Sequence, residues 1–333
     1  MPKVVPSSFP ISALFGVAKP TGPTSMSIVN DVQQLVARSK LFADAEKLDK
    51  VKDKKIDRKR GKRGREAIKM GQGGTLDPLA DGVLVIGVNK GTKKLNEFLN
   101  CTKEYRTTCL LGCETDSYDS EGVRVRLAPW RHVTKESVEA ALPKFRGDIT
   151  QVPPIFSALK MDGRPLHEYA RKGIPLPRPI EARPVTVHSL ELVEWLGQDH
   201  SYSWPEKVMS SESKHALENA LKGVEQDATI KDEAEEPTEN QRPTAFVLKM
   251  KVSGGTYVRS IVHDLAQAVG STGHVVTLKR SRQGRFVLEK EEEGDRECVP
   301  WDVFERAFVD IGEADAEGWT EWEREVMERL EVV

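Results

Sequence analysis

Cysteine is scarce in this chain. There are four in 333 residues (Cys101, Cys109, Cys113 and Cys298), with no C-x-x-C pair and no spacing of a disulfide framework. A reducing compartment is expected, with these thiols as small core or near-surface residues. No apolar run approaches the roughly 18 residues a membrane-crossing helix needs, so no membrane association is expected. The seven histidines are scattered and form no H-E-x-x-H, so no metal is expected. Phosphate-binding signatures are also missing. GQGGTLDP (71–78) and GVNKGTKK (87–94) are the nearest approaches, yet neither is G-x-x-x-x-G-K-[ST], and no G-x-G-x-x-G opens a helix after a strand. A nucleotide cofactor is therefore not expected, nor any other. The opening MPKVVPSSFPISALFGVAKP holds a single early Lys, which makes a poor secretory signal and a weak mitochondrial presequence. No repeat of about 20–50 residues is apparent.

What the chain does have is charge, segregated behind a net of −2. Residues 1–195 hold 33 Lys+Arg against 23 Asp+Glu, and 242–285 hold 8 against 1. Residues 196–241 hold 4 against 11, and 286–333 hold 5 against 17. Two basic segments thus alternate with two acidic ones, and a polyanion partner fits the basic ones because bound phosphates release counterions. The run KVKDKKIDRKRGKRGR (50–65) carries ten basic residues against two acidic, in an insertion over 43–69 with no steady apolar period. Phosphate contact or nuclear import is its expected use.

Elsewhere the apolar spacing predicts elements. SMSIVNDVQQLVAR (25–38) places Ile28, Val29, Val32, Leu35 and Val36 on one helical face, with Ser25 as N-cap. Strands are expected at 83–88, 105–111, 184–195 and 245–253. Helices are expected from Gly91, at 135–142 behind Thr134, and through Val258, Ile261, Val262, Leu265 and Val269 to Gly270. Residues 197–243 are acidic and offer little to bury, which predicts a disordered or loosely helical insertion. In the acidic extension 286–333, Trp301, Phe304, Phe308, Trp319 and Trp322 predict helices packed back on the core. Without a regular βαβ period, the class is α+β, in one domain over 1–333 with two polar insertions.

The stretch GQGGTLDPLADGVL (71–84) sets one carboxylate, Asp77, behind Gly71, Gly73 and Gly74 and ahead of Pro78. Glycines permit close backbone approach, and a following proline keeps Asp77 out of a helix, so the carboxylate is displayed at a loop tip. A plain Asx turn at a strand entrance would look the same in isolation.

Read with KEYRTTCLLG (103–112), PPIFSALKMDGRPLHEYARKG (153–173) and GGTYVRSIVHDLA (254–266), that stretch resembles the TruB family of pseudouridine synthases in order and spacing. KPTGPTS (19–25) and GHVVTLKR (273–280) add fainter matches. Within the family the chain is most similar to the stand-alone eukaryotic, especially fungal, enzymes that modify uridine 55 of tRNA. The resemblance implies a pseudouridine synthase fold, with a mixed, largely antiparallel sheet flanked by helices. It implies Asp77 as catalytic carboxylate, Arg259 as its ion-pair partner, and Tyr105 as the aromatic that stacks on the flipped uracil and is placed for proton transfer. Tyr257, Leu278, Gln72, Gly74 and Thr75 are implied around the uridine, and Lys19, Lys160, Arg171 and Lys279 as phosphate contacts.

The implied partner is the TΨC arm of tRNA, and mRNA with a T-loop-like motif, without an obligate protein partner. Nuclear location, with mitochondrial or cytoplasmic shares, is expected. A tRNA-folding chaperone and a guide-RNA-dependent synthase component are the competing readings. Gln72 stands where the family commonly has His, Ala18 where bacterial relatives often carry Asp, and 286–333 shows no recognisable RNA-binding module.

Overall fold

The computed structural model describes residues 9–49, 68–154, 159–172, 174–221, 231–234 and 241–333. The chain divides into two compact units, one of residues 1–104 and 279–333, the other of 105–278.

The first unit is organised around the strand Asp81–Val88, buried on both faces from Gly82 onward as its unbroken apolar run requires. The strand Ala13–Lys19 lies antiparallel to it in register from Ala13 opposite Val88 to Lys19 opposite Gly82. Met70–Gln72 is antiparallel to it as well, and Lys279 and Arg280 pair parallel with Asp81 and Gly82. On the other edge of Ala13–Lys19, Val299 and Pro300 pair parallel and Glu331 and Val332 antiparallel. Leu14, Val83, Val85, Leu95, Phe98, Phe286 and Cys298 form one buried cluster.

The first helix runs Ser25–Val36, and its N-cap is Thr24 rather than Ser25. The Thr24 hydroxyl accepts from the Ser27 amide at 3.1 Å, which frees the Ser25 hydroxyl for another task. After Val88 the chain makes a 3₁₀ turn over Asn89–Lys94 before the helix Leu95–Asn100, because Gly91 lies so close to the Ala13 carbonyl that no side chain fits. In the acidic extension the helices Trp301–Val309 and Glu321–Arg329 bury Trp301, Phe304 and Trp322, Trp319 is buried just ahead of the second, and Phe308 is half-buried.

In the second unit the sheet order is Gly273–Leu278, Tyr105–Leu111, Ala245–Val252, Arg183–Gly197, Gly147–Gln151. The last two pairings are antiparallel. The helix Val258–Ala268 buries Val258, Ile261, Val262 and Leu265 and is closed by Gly270 at φ +75°. Thr134 caps Lys135–Ala141 with a reciprocal Thr134–Ser137 box.

The segment 197–243 corrects the expectation of little to bury. Its helix Ser211–Leu221 sets Leu217, with Met209, into a cluster with Val125, Met161, Leu166, Tyr169 and Leu176. Buried Trp204 donates its indole N–H to the Leu111 carbonyl at 2.9 Å. Three apolar side chains diluted among acids carry this packing, and average composition hides them. The basic run 50–65 lies outside the described residues, preceded by the short helix Ala45–Asp49.

Candidate active site

In the first unit the loop between Gln72 and Asp81 is built almost wholly by side chains that grip its backbone. The Ser25 hydroxyl accepts from the Leu76 amide and donates to the Leu76 carbonyl, both at 2.8 Å. Arg280, 1% exposed, donates from Nε to the Val83 carbonyl at 2.8 Å and from Nη2 to Gly74 at 3.1 Å. Its Nη1 reaches the Thr75 carbonyl at 3.4 Å. Buried Gln283 donates from Nε2 to the Gly73 and Phe98 carbonyls, the latter at 2.9 Å. Gly74, at φ +133°, makes the turn that aims these carbonyls inward.

Asp77 follows, half-buried, with its carbonyl accepting from the Ala80 amide at 3.1 Å. The carboxylate therefore sits on a short turn whose backbone is fixed on both sides. Lys19 fixes the far side and corrects its expected role. It is 1% exposed, and its ammonium donates to the Ala80, Pro20 and Pro78 carbonyls at 2.6, 2.9 and 3.4 Å. A buried lysine satisfied by carbonyls holds the loop instead of reaching a phosphate. Lys279 is the opposite case: it is half-exposed and its ammonium lies 3.3 Å from the Asp81 carboxylate. Gln72 donates from its amide to the Thr75 hydroxyl at 3.2 Å inside the loop.

In the second unit Tyr105 and Leu278 are buried on neighbouring strands. Tyr257 is half-buried just before the helix Val258–Ala268, and Gln151 clamps its backbone at both ends. The Gln151 carbonyl accepts from the Tyr257 amide at 2.7 Å, and its own amide donates to the Tyr257 carbonyl at 2.9 Å. Arg259 points from the first turn of that helix and donates from Nη1 to the Ser117 carbonyl at 2.5 Å. Its Nε lies 3.7 Å from the Asp119 carboxylate, both side chains buried. The pairing of Arg259 with Asp77 remains what the resemblance implies.

Beside this arginine, Tyr118, at φ +62°, stacks on His263 with ring centroids 3.9 Å apart. Burial pulls the imidazole toward its neutral form, but bonds to Asp264 at 3.0 Å and Glu114 at 3.5 Å outweigh it and raise the group to about 9. Glu114, bonded also to Arg126 at 2.7 Å, is held below the usual carboxylate range although its burial acts the other way. Lys160 is exposed on a hairpin, and the Arg171 side chain lies outside the described residues. Among the described residues no three His, Cys, Asp or Glu side chains cluster to hold a metal.

Sequence reasoning missed Arg280, Gln283, Ser25, Gln151 and Asp119. Their only signal was position inside or beside the quoted motifs, since buried donors to distant carbonyls leave no local pattern.

The crystal structure of a Cbf5-Nop10-Gar1 complex contains a chain of similar fold. The TM-score is 0.51 at 19% identity, over 96% of this chain and 60% of that one.

Residues 62–210 match the model for the N-terminal domain of TruB family pseudouridylate synthases. The tRNA pseudouridine synthase 4 of Schizosaccharomyces pombe is 36% identical over 92% of this chain and 84% of its own. That of Saccharomyces cerevisiae is 34% identical over 84% and 79%. The tRNA pseudouridine synthase B of Aromatoleum aromaticum is 38% identical over 67% and 57%. The chain belongs to the TruB family of pseudouridylate synthases.

Proposed function

We propose that this protein isomerises uridine 55 in the TΨC arm of tRNA, with Asp77 as its catalytic carboxylate. The observation that carries the reading is the clamped Gln72–Asp81 loop, displaying one carboxylate in a chain 36% identical to a tRNA pseudouridine synthase 4. The reaction breaks the N1–C1′ bond, turns the uracil and joins C5 to C1′, leaving the atom count of the nucleoside unchanged. One carboxylate suffices as nucleophile or proton acceptor. A base in a folded RNA stem or loop must first be extruded, at a cost of a few kcal/mol, and Tyr105 is the ring proposed to receive it. Arg259, fixed by Ser117 and Asp119, contributes a buried guanidinium whose orientation is preset.

Half-exposed Lys279 is the best-placed of the proposed phosphate contacts. A nuclear pool, with mitochondrial or cytoplasmic shares, and mRNA with a T-loop-like motif extend the proposal. Its support there is the basic run 50–65 and the resemblance.

The test is to incubate the purified chain alone with an unmodified tRNA transcript and map pseudouridine. Modification at position 55 by the wild type, and none by Asp77→Asn despite retained tRNA binding, is expected. Turnover by Asp77→Asn at the wild-type single-turnover rate would remove Asp77 from the chemistry. Modification only on adding a second RNA would make the protein a guide-dependent component.

A further inference from the structure

We infer that Arg280 and Gln283 are positioning residues for the reaction: from one strand they hold the Gly73–Thr75 backbone in the shape that presents Asp77. The inference rests on the reading of Asp77 as the catalytic carboxylate.

Both residues lie near the end of the strand Gly273–Gln283, are 1% and 0% exposed, and direct donors at consecutive carbonyls of one loop. Gln283 takes Gly73, Arg280 takes Gly74 and Thr75, and the Arg280 Nε anchors to Val83 in the strand behind. Three successive carbonyls, immediately ahead of Leu76 and Asp77, thus converge on two side chains.

That convergence is not a default of the chain. Gly74 stands at φ +133°, a conformation that leaves its carbonyl out of any strand ladder and in need of a donor. A Cβ at Gly74 would crowd the Gln283 amide at 3.1 Å and touch the Arg280 guanidinium only at an ordinary 3.9 Å, so the glycine makes room for the Gln283 donor. The guanidinium is the side chain able to serve three carbonyls at once, because its N–H groups form a rigid planar fork. It is also costly to bury, and here its hydrogen-bond partners are backbone carbonyls, two in the loop and one in the strand behind it. A fold that needed only a filled core at this place would serve with leucine. A fork aimed at the loop ahead of Asp77 is what a preset carboxylate requires, because loss of about an ångström of placement is enough to slow chemistry about a hundredfold.

The strand holds more donors than Arg280 alone, which gives two independent variants. Arg280→Lys keeps the charge and loses the fork. Gln283→Met keeps the volume and loses both donated bonds. Each should lower the single-turnover rate of pseudouridine formation by about ten- to a hundredfold while leaving the tRNA Kd within about twofold. The melting temperature should also fall, because buried carbonyls lose their donors, but the folded fraction at the assay temperature should match wild type. Hydrogen exchange should rise at the amides of 73–77 and stay unchanged in the helix Val258–Ala268. Rates equal to wild type in both variants would overturn the inference, as would rate losses matched by equal losses in Kd. An Asp77→Asn control separates the two readings: if that variant turns over normally, the catalytic assignment has failed. If it is dead while Arg280→Lys and Gln283→Met are fully active, the positioning role alone has failed.

Discussion

Raising the pH through the range from 6.5 to 9 is predicted to destabilise the second unit through one side chain, His263. Its ring is stacked on Tyr118 and bonded to Asp264 and Glu114, with Arg126 bonded in turn to Glu114. The imidazole is raised from 6.5 to about 9, against the pull of burial, so the fold prefers the protonated form. Below the unfolded value both states are protonated, and the contribution is fully present. As pH rises from 6.5 to 9 the unfolded chain gives up the proton first, and stability falls by up to about 1.4 kcal/mol per pH unit. A shift of this size corresponds to about 3 kcal/mol, supplied by the bonds to Asp264 and Glu114. Above 9 the contribution is gone.

Lysines and cysteines also titrate toward alkaline pH, so the informative quantity is the difference between wild type and His263→Gln. The amide keeps a donor but cannot carry the charge. Urea unfolding at pH 6.0, 7.5 and 9.5 should give a difference that is largest at 6.0 and small at 9.5. A difference constant across that range would refute the charged imidazole.

Three further outcomes follow from single contacts. Ser25→Ala leaves the buried Leu76 amide and carbonyl without partners and should cost about 1–3 kcal/mol in thermal unfolding, with a lower turnover rate because Asp77 is the next residue. Gly82→Ala combines φ +107° with a Cβ driven into the Arg280 backbone. A loss above about 3 kcal/mol, or an insoluble protein, is expected on expression and melting. Tyr105→Phe should retain tRNA affinity and lose most turnover, whereas Tyr105→Leu should also weaken binding by about 1–3 kcal/mol of stacking. Normal turnover in the Phe variant would reduce Tyr105 to a stacking surface.

The elements most legible in the sequence were those with a strong period or unambiguous punctuation. Val83–Val88 reads as a fully buried strand, and Val258–Val269 as a helix closed by glycine, because both signals are local. The helix start at Thr24 was displaced by one residue because two adjacent hydroxyls compete for the cap, and only tertiary structure shows that Ser25 is engaged by Leu76. The ordered part of 197–243 was lost in an acidic average, since Trp204, Met209 and Leu217 have no regular spacing. Lys19 misled for a related reason. A lysine in a motif of a nucleic-acid enzyme suggests phosphate, but its ammonium lies 2.6 Å from the Ala80 carbonyl, a contact separated by 61 residues in sequence.

The loop that carries Asp77 is gripped by a guanidinium, an amide, a hydroxyl and an ammonium, all directed at backbone carbonyls or amides. Gln72 adds another neutral amide, and it bonds within the loop to Thr75. Amide, hydroxyl and guanidinium donors do not titrate near neutrality, whereas an imidazole would. An imidazole at position 72 would add a group whose protonation could change the loop across physiological pH. The titratable histidine of the described chemistry is instead His263, tied to Glu114 and Asp264 beside the turn whose Ser117 carbonyl receives Arg259. The share of any alkaline loss of activity that follows this network should accordingly be absent in His263→Gln, so that the difference between wild type and variant vanishes at pH 9.5, while the Gln72–Asp81 loop stays unchanged in hydrogen exchange.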